Sequence, residues 1–254
     1  MLITIAIPTY EMFPHGSRFL DFSLNKLAGQ SYKNFEVVIS DHSKENDIEK
    51  VAEKWAEKLK ITYIRKTYKT DNPSSNLNNI INNSKGEFIK ILFQDDFLFD
   101  EFSLQKTVDK IKESNLPAWM VSSCQHSEDG NNMIKSFYPE YNRRIHLGFN
   151  TISSPSVLTI KNDPSKIYFN ENFKWLMDCV YYKDCFMKFG KPVIIEDITI
   201  VNRLWGNQLT NQLSNFVKEI EVLEASKIYD SFIVYSINRL KAYATRYLKK
   251  TFKI

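Results

Sequence analysis

The sequence predicts an α/β protein whose first half is built on a mainly parallel sheet flanked by helices. Short apolar runs rich in β-branched and aromatic residues alternate there with segments whose apolar residues recur at helical spacing. Strands that are apolar along their whole length are expected where helices cover both faces of a sheet. Regular alternation of strands and helices implies right-handed crossovers between parallel strands.

Four strands and three helices are predicted in order over the first hundred residues. The strands are the apolar runs at residues 2–7, 35–39, 61–64 and 88–93. The helices lie between them, and their apolar faces are formed within residues 20–27, 48–59 and 77–81.

The pattern is less regular in the second half. Its predicted elements are a helix at 102–111, a strand at 118–122, a strand at 157–160, a helix at 180–189 and one or two long helices within 213–254. Residues 128–156 are polar and aromatic without a regular period. Within them, residues 138–156 form a long irregular segment that predicts either a substrate loop or a mobile surface loop without contact to the acceptor.

Composition excludes several classes of protein. The 254 residues are 43% hydrophobic and 25% charged, as in an ordinary globular protein. Three cysteines form no CxxC pair, which favours a reducing compartment and argues against structural zinc. No GxGxxG, GxxxxGK[ST] or GxSxG motif occurs, so dinucleotide enzymes, P-loop NTPases and serine-elbow hydrolases lose support. Because no run of about 18 apolar residues and no signal-peptide pattern is found, we expect a cytoplasmic protein.

Polar residues follow three of the predicted parallel strands. Thr9 and Tyr10 follow the first strand, Asp41 follows the second, and Asp95 and Asp96 follow the fourth. The carboxyl ends of parallel strands meet at one edge of a sheet, where ligands of α/β proteins bind. Each acid alone also fits a turn or a helix cap. Adjacent carboxylates at such an edge are suitable ligands for Mg²⁺ or Mn²⁺, with substrate phosphates completing the coordination.

Further motifs occur in order over about residues 1–210, and together they make the chain resemble a family 2 glycosyltransferase with the GT-A fold. The matching pieces are Ile7 Pro8 Thr9 Tyr10; residues 30–41 with Ser43; Asn79 followed by residues 85–89; Gln94 Asp95 Asp96; Gly148, Asn150 and Pro155 Ser156; residues 175–178; and Arg203 with Thr210. The resemblance implies a GT-A domain at 1–212, with a nucleotide-binding half at 1–96 and an acceptor half at 97–212. Residues 213–254 are predicted to be a basic helical extension.

The resemblance also implies what the chain does. It predicts an inverting, metal-assisted enzyme that moves a sugar from a nucleotide-sugar donor to a hydroxyl of a glycan or lipid-linked glycan, with Mn²⁺ or Mg²⁺ as cofactor. The residues implied for nucleotide binding are Pro8, Thr9, Tyr10, Asp41, Asn79 and Asp95. The implied metal ligands are Asp96, as the principal one, and Asp95.

Three further groups of residues are implied by the resemblance. Asp178 matches the general base of the family. An acid directly before a segment with apolar residues at helical spacing also fits a helix cap. Arg203 and Trp205 are implied to contact the diphosphate or to close over it. Pro155, Ser156 and Trp175 are implied to contact the acceptor.

The chain departs from the family pattern at three positions. Ser40 and Phe93 stand where many relatives carry an acid, and Trp205 stands where many carry a histidine. These departures leave open a catalytically silent module that binds nucleotide sugars or glycans. A nucleotidyltransferase is a second alternative, but the loop after the first strand lacks the Gly-rich, Lys-containing sequence expected of one.

The basic residues are concentrated at the end of the chain. Six of the 34 Lys and Arg residues and none of the 30 Asp and Glu residues lie within 239–254, so the rest of the chain is slightly acidic and no nucleic-acid partner is predicted. An apolar stripe runs beside these cations at Ile233, Ile237, Leu240, Ala244 and Tyr247. A basic amphipathic helix predicts either peripheral contact with an anionic membrane surface, on its inner face, or packing and self-association.

Overall fold

The computed structural model describes residues 1–12, 14–65 and 72–240. Its strands are β1 (Ile3–Thr9), β2 (Phe35–Asp41), β3 (Ile61–Arg65), β4 (Phe88–Ile91), β5 (Phe97–Leu98), β6 (Trp119–Ser127), β7 (Lys135–Phe137), β8 (Leu158–Lys161) and β9 (Val193–Arg203). Its helices are α1 (Gly16–Ala28), α2 (Asp47–Trp55), α3 (Pro73–Asn83), α4 (Ser103–Glu113), α5 (Met177–Phe189), α6 (Leu209–Gln212) and α7 (Asn215–Tyr229). Single 3₁₀ turns cover Ile145–Leu147 and Pro155–Val157, and residues 232–240 are helical.

The strands form one sheet in the order β3-β2-β1-β4-β8-β6-β9-β5, with β7 paired to β6. The pairs β3-β2, β2-β1 and β1-β4 are parallel, as is β6-β9, whereas β8 runs antiparallel to both of its neighbours. Every residue of β2 is buried, which is expected for a strand with helices on both faces. The predicted α/β fold with a mainly parallel sheet is confirmed.

Two boundaries differ from the sequence prediction in ways that affect the site. The strand predicted to end at residue 93 ends at Ile91, so the residues after it form the turn that carries the acid pair. The helix predicted at 180–189 begins at Met177, so Asp178 lies in its first turn. The long strand β9 was not predicted, because Glu196 and Asp197 interrupt its apolar pattern where its register against β6 shifts.

The C-terminal part is helical, as predicted, over residues 215–229 and 232–240. Helix α7 buries Glu221, Ala225 and Ser226 against the body of the protein. The three described residues of the predicted apolar stripe, Ile233, Ile237 and Leu240, are all exposed. The rest of the stripe and most of the basic cluster fall within 241–254, outside the described residues. Across the described part of the chain, no helix is long and apolar enough to cross a membrane.

Candidate active site

The parallel strands bring the first predicted nucleotide-binding residues together. Asp41 is completely buried at the end of β2, and its Oδ1 accepts a hydrogen bond from Thr9 Oγ1 at 3.1 Å and from the Ser43 backbone N–H at 3.0 Å. Its Oδ2 accepts the Tyr63 hydroxyl at 2.6 Å. Burial and the neighbouring Asp41 carboxylate raise the pKa of Tyr63, so this phenol stays protonated and acts as a donor. Asp41 therefore fixes the ends of β1, β2 and β3 relative to one another.

Helix α3 covers the same strand ends with asparagine side chains. Asn79 Nδ2 donates to Ser40 Oγ at 2.8 Å, and Asn76 Nδ2 donates to the Thr9 carbonyl at 3.2 Å. Asn76 is 4% exposed, and its Oδ1 has no hydrogen-bond partner among the described residues. A buried acceptor without a donor costs about 1–3 kcal/mol, so this oxygen is a candidate for ligand recognition. Asn76 was not among the residues predicted from the sequence. An asparagine on the inward face of a predicted helix is the signal that could have indicated it.

The loop after β1 is held in place by Gln94. Its Oε1 accepts the Tyr10 backbone N–H at 2.6 Å, and its Nε2 donates to the carbonyls of Tyr10 at 3.0 Å and Gly16 at 3.1 Å. The Tyr10 side chain is 43% exposed and is free to pack against a ligand. Pro8 is half-buried, one residue before the end of β1. The predicted nucleotide-binding residues thus lie at one edge of the sheet.

The two adjacent acids occupy different environments. Asp96 is 4% exposed and takes four hydrogen bonds: Oδ2 accepts from Ser154 Oγ at 3.2 Å, Ser156 Oγ at 2.5 Å and Asn202 Nδ2 at 2.8 Å, and Oδ1 accepts from the Arg203 backbone N–H at 2.9 Å. Three donors contact Oδ2 and one contacts Oδ1, so a metal ion at Asp96 would have to share Oδ1 or displace a protein donor, and the role of Asp96 as the principal metal ligand stays a prediction.

Asp95 is more accessible than its neighbour. It is half-buried, and its Oδ2 accepts the Trp205 indole N–H at 3.0 Å. Burial and the Asp96 carboxylate raise the pKa of Asp95, and burial raises the pKa of Asp96. Two neighbouring carboxyl groups with raised pKa values favour a cation near them. Of the two, Asp95 is the residue whose carboxylate has fewer protein donors and can coordinate such a cation. Among the described residues no cluster of three or more His, Cys, Asp or Glu side chains forms a complete metal site.

Arg203 provides a buried positive charge beside the acid pair. Its side chain is 5% exposed, its Nε donates to the Asp95 carbonyl at 3.1 Å, and its guanidinium lies 4.7 Å from the Phe19 ring centroid. A side chain at Gly130, where φ is +87°, would lie 2.7 Å from the guanidinium. Burial lowers the pKa of Arg203. Enclosed in this way, Arg203 does not extend toward a diphosphate as predicted, and it supports the turn that carries Asp95.

Trp205 joins the acid pair to helix α1. Besides its bond to Asp95, its ring lies edge-on to those of His15 and Phe19, at centroid distances of 5.8 and 5.7 Å. The residue that replaces the family's histidine therefore contacts the predicted metal and nucleotide region directly.

Asp178 lies in the first turn of α5 and is half-buried. Its Oδ1 accepts the Cys179 backbone N–H and its Oδ2 accepts Asn150 Nδ2, both at 2.7 Å. Burial raises the pKa of Asp178 to about 6, although both hydrogen bonds act in the opposite direction. The two interpretations left open by the sequence are compatible, because one oxygen caps the helix while the carboxylate as a whole has the raised pKa expected of a base.

The predicted acceptor residues separate in the structure. Pro155 and Ser156 are buried, and Ser156 Oγ donates to Asp96 and accepts the Phe93 backbone N–H at 2.9 Å. They support the acid pair and are not available to an acceptor. Trp175 is half-buried and packs on Gly148, where an added Cβ would lie 2.8 Å from the indole. Of the three predicted acceptor residues, only Trp175 has exposed surface that an acceptor could contact.

The segment from Asn150 to Ser156 links Asp178 to the acid pair. Asn150 binds Asp178, and its Oδ1 accepts the backbone N–H groups of Ile152 and Ser153 at 3.0 and 2.9 Å. Ser153 has φ of +94°, an uncommon value for a residue other than glycine, and its Oγ contacts Asn202 Oδ1 at 3.3 Å. Asn202 in turn donates to Asp96. Asn150 was part of the family resemblance but had no predicted role, and Ser153 and Asn202 were not predicted from the sequence.

Comparison with known proteins identifies the family of this chain. The sequence profile of glycosyl transferase family 2 matches residues 4–185, and the chain belongs to this family. An uncharacterised glycosyltransferase of Rickettsia conorii is 25% identical over 241 residues, which cover 90% of this chain and 38% of the relative. The chain therefore spans about two fifths of the length of that protein.

Solved structures show the same fold. Residues 1–349 of the Staphylococcus aureus protein TarS, in complex with UDP-GlcNAc, align with a TM-score of 0.67 and 18% identity over 91% of this chain and 68% of that fragment. The mannosyltransferase PcManGT from Pyrobaculum calidifontis, in complex with GDP-Man and Mn²⁺, aligns with a TM-score of 0.56 and 14% identity over 99% of this chain and 81% of that protein. The predicted family and GT-A fold class are confirmed.

Proposed function

We propose that this chain transfers a sugar from a nucleoside diphosphate sugar to a hydroxyl group, with inversion at the anomeric carbon. The observation that carries this proposal is the continuous set of hydrogen bonds from Asp178 through Asn150, Ser153 and Asn202 to the turn of Asp95 and Asp96. These bonds connect a carboxylate with a raised pKa to an acidic turn, which supports a single transfer site that includes both.

The donor is proposed to bind at the ends of β1 and β2. Thr9 and Asp41 form the floor, Tyr10 offers an exposed ring, and Asn76 offers the unpaired Oδ1. The unpaired Asn76 oxygen suits an N–H group of a base, whereas the Asp41 oxygens are already bonded to Thr9, Ser43 and Tyr63 and hold the floor in place. The complexes of two structural neighbours with UDP-GlcNAc and GDP-Man support a nucleotide sugar as the class of donor.

A divalent cation fits this site only if the donor completes the coordination. Mg²⁺ and Mn²⁺ are commonly held by one or two carboxylates together with substrate phosphates, and Asp95 supplies one such carboxylate. When bound, the ion would act as a Lewis acid toward the diphosphate leaving group. Trp205 orients Asp95, and Arg203 and Asp96 hold its backbone turn. The Mn²⁺ complex of a structural neighbour supports this assignment.

Asp178 is proposed to be the general base. The acceptor hydroxyl oxygen forms a bond to the anomeric carbon, its proton passes to the Asp178 carboxylate, and the bond to the diphosphate breaks so that the electron pair leaves with the diphosphate. Asn150 orients the carboxylate and keeps its pKa from rising further. Direct displacement of this kind inverts the anomeric configuration. We propose a glycan or lipid-linked glycan as the acceptor.

The donor class is tested by a thermal-shift panel of UDP, GDP, dTDP and CMP and their common sugars, each with and without Mn²⁺. A ligand that binds only the folded state stabilises it by about 2.7 kcal/mol at a concentration of 100 times Kd, so the cognate nucleotide is expected to raise Tm. The shift is expected to be larger with Mn²⁺. If no nucleotide changes Tm at millimolar concentration, the proposed donor site is wrong. A nucleotide sugar that binds but is never turned over with any acceptor would indicate a silent binding module.

A further inference from the structure

A carboxylate from the C-terminal helix binds the backbone that leads into Asp178. Glu221 of α7 is 7% exposed, and it accepts the backbone N–H groups of Lys174 at 2.9 Å, Trp175 at 2.9 Å and Leu176 at 2.8 Å. These are the three residues immediately before α5. Asp178, in the first turn of that helix, is only two residues further along the chain.

This arrangement fixes the segment that enters α5, because the N–H groups of Lys174 and Trp175 precede the helix and that of Leu176 belongs to its N-cap residue. The first N–H groups of a helix have no partner within the helix, and the residue that precedes α5, Leu176, makes no side-chain cap of its own. Hydrogen bonds from N–H groups to an ionised carboxylate are about twice as strong as neutral ones, and three consecutive bonds fix the direction of the chain. The first turn is built on the same residue, since Val180 N–H donates to the Leu176 carbonyl at 2.8 Å.

Helix α7 is also connected to the segment that contacts Asp178 from its other side. Asp230, which follows α7, accepts the Ser226 hydroxyl at 2.6 Å through Oδ2, and its Oδ1 lies 3.0 Å from His146 Nε2. His146 belongs to the 3₁₀ turn that leads through Gly148 to Asn150, the donor to Asp178. Both flanks of the carboxylate are therefore attached to α7 and the residue that follows it.

We propose that Glu221 is a positioning residue for the general base, so that α7 belongs functionally to the catalytic unit. This inference rests on the proposed role of Asp178. Glu221 itself contacts neither donor nor acceptor in this assignment. Its effect is on the rate of proton transfer, through the placement of the Asp178 oxygen, and the nucleotide-binding edge of the sheet is independent of it.

The test compares four full-length proteins: wild type, Glu221→Gln, Asp178→Asn and the double variant. Glutamine keeps the size of the side chain but replaces one acceptor oxygen by a donor that opposes the backbone N–H groups. We expect Glu221→Gln to lower kcat about 10- to 100-fold, the loss that follows a displacement of about 1 Å, with the donor Kd unchanged. In the Asp178→Asn background, Glu221→Gln should cause no further loss, since both act through one group. Glu224→Gln, the same change on the exposed face of α7, is the matched control and should behave as wild type.

The outcomes separate the two proposals. Near-normal turnover of Asp178→Asn would refute the proposed base, whatever Glu221→Gln does. If Asp178→Asn is impaired but Glu221→Gln lowers kcat by the same factor in both backgrounds, the base stands and the positioning role of Glu221 is overturned. Should Glu221→Gln not fold, Glu221→Asp and amide hydrogen exchange at 174–176 decide the matter. A folded Glu221→Asp protein with faster exchange there and lower kcat supports the role, and wild-type exchange and kcat contradict it.

Discussion

Replacement of Asp178 by Asn is expected to lower kcat about 100-fold or more while the donor Kd stays near that of wild type. Asparagine fills the same volume and its Oδ1 can still accept the Cys179 backbone N–H, so the first turn of α5 keeps its cap. Its amide cannot accept a proton from a hydroxyl near neutral pH. The donor site lies on β1, β2 and the turn after β4, which this change does not touch.

The matched control for this variant is Asp197→Asn, an exposed acid on β9 that makes no part of the site. Circular dichroism should be unchanged in both variants and Tm unchanged in the control, whereas Asp178→Asn should lose a few degrees in Tm because its NH₂ group faces the Asn150 Nδ2 donor. Near-normal turnover of Asp178→Asn would return this residue to a capping role alone. A product with retained anomeric configuration would independently reject direct displacement.

The pH dependence of kcat follows from the same residue. Burial raises the pKa of Asp178 from its ordinary value to about 6, so the carboxylate is protonated, and inactive as a base, below that pH. The expected wild-type profile is level above pH 7 and falls about tenfold per pH unit well below 6. This acidic limb should be absent from the residual activity of Asp178→Asn. A limb of unchanged position in that variant would assign the titration to another group.

The strands that build the nucleotide-binding edge were predictable because helices cover them on both faces. Residues 35–41 are buried throughout, and such a strand appears in sequence as a nearly continuous apolar run, interrupted here by Glu36, that ends in polar residues. Once the strands are known to be parallel, Thr9, Asp41 and Asp95 must lie at one edge. That part of the site follows from hydrophobic pattern and topology alone.

The environment of each acid was not predictable in the same way. Asp95 and Asp96 are adjacent, and the difference between them depends on which one meets Ser154, Ser156 and Asn202. These donors lie on a loop and on a strand whose pattern is interrupted by charges. The role of Glu221 was unpredictable for the same reason. A glutamate in a predicted helix is expected to be exposed to solvent unless the backbone groups that it binds are known. The resemblance to a family therefore indicated which residues to consider, and packing determined which of them are accessible.

Asp95→Asn and Asp96→Asn form a pair whose members are expected to fail for different reasons. In Asp95→Asn the amide oxygen can still accept the Trp205 indole N–H, but the negative charge available to a divalent cation is lost. Sugar transfer should fall about 100-fold or more, because stabilisation of the leaving diphosphate contributes several kcal/mol. The extra Tm shift that Mn²⁺ gives to nucleotide binding should also disappear. Tm without ligand should equal or exceed that of wild type, because burial and a neighbouring acid both disfavour the charged form of Asp95.

Asp96→Asn is expected to lower the stability of the fold more than it affects metal binding. Asp96 accepts hydrogen bonds from four donors in a buried position, and an amide must direct its NH₂ group at some of them. Each buried donor left without an acceptor costs about 1–3 kcal/mol, so Tm should fall by several degrees. At a temperature where the variant is folded, the Mn²⁺-dependent part of nucleotide binding should survive, since Asp95 remains. If Asp96→Asn abolishes that part and Asp95→Asn retains it, Asp96 is the metal ligand after all, and the four protein donors must be displaced when the donor binds. Full wild-type activity in EDTA would remove the metal from the mechanism and assign stabilisation of the leaving diphosphate to other groups of the protein.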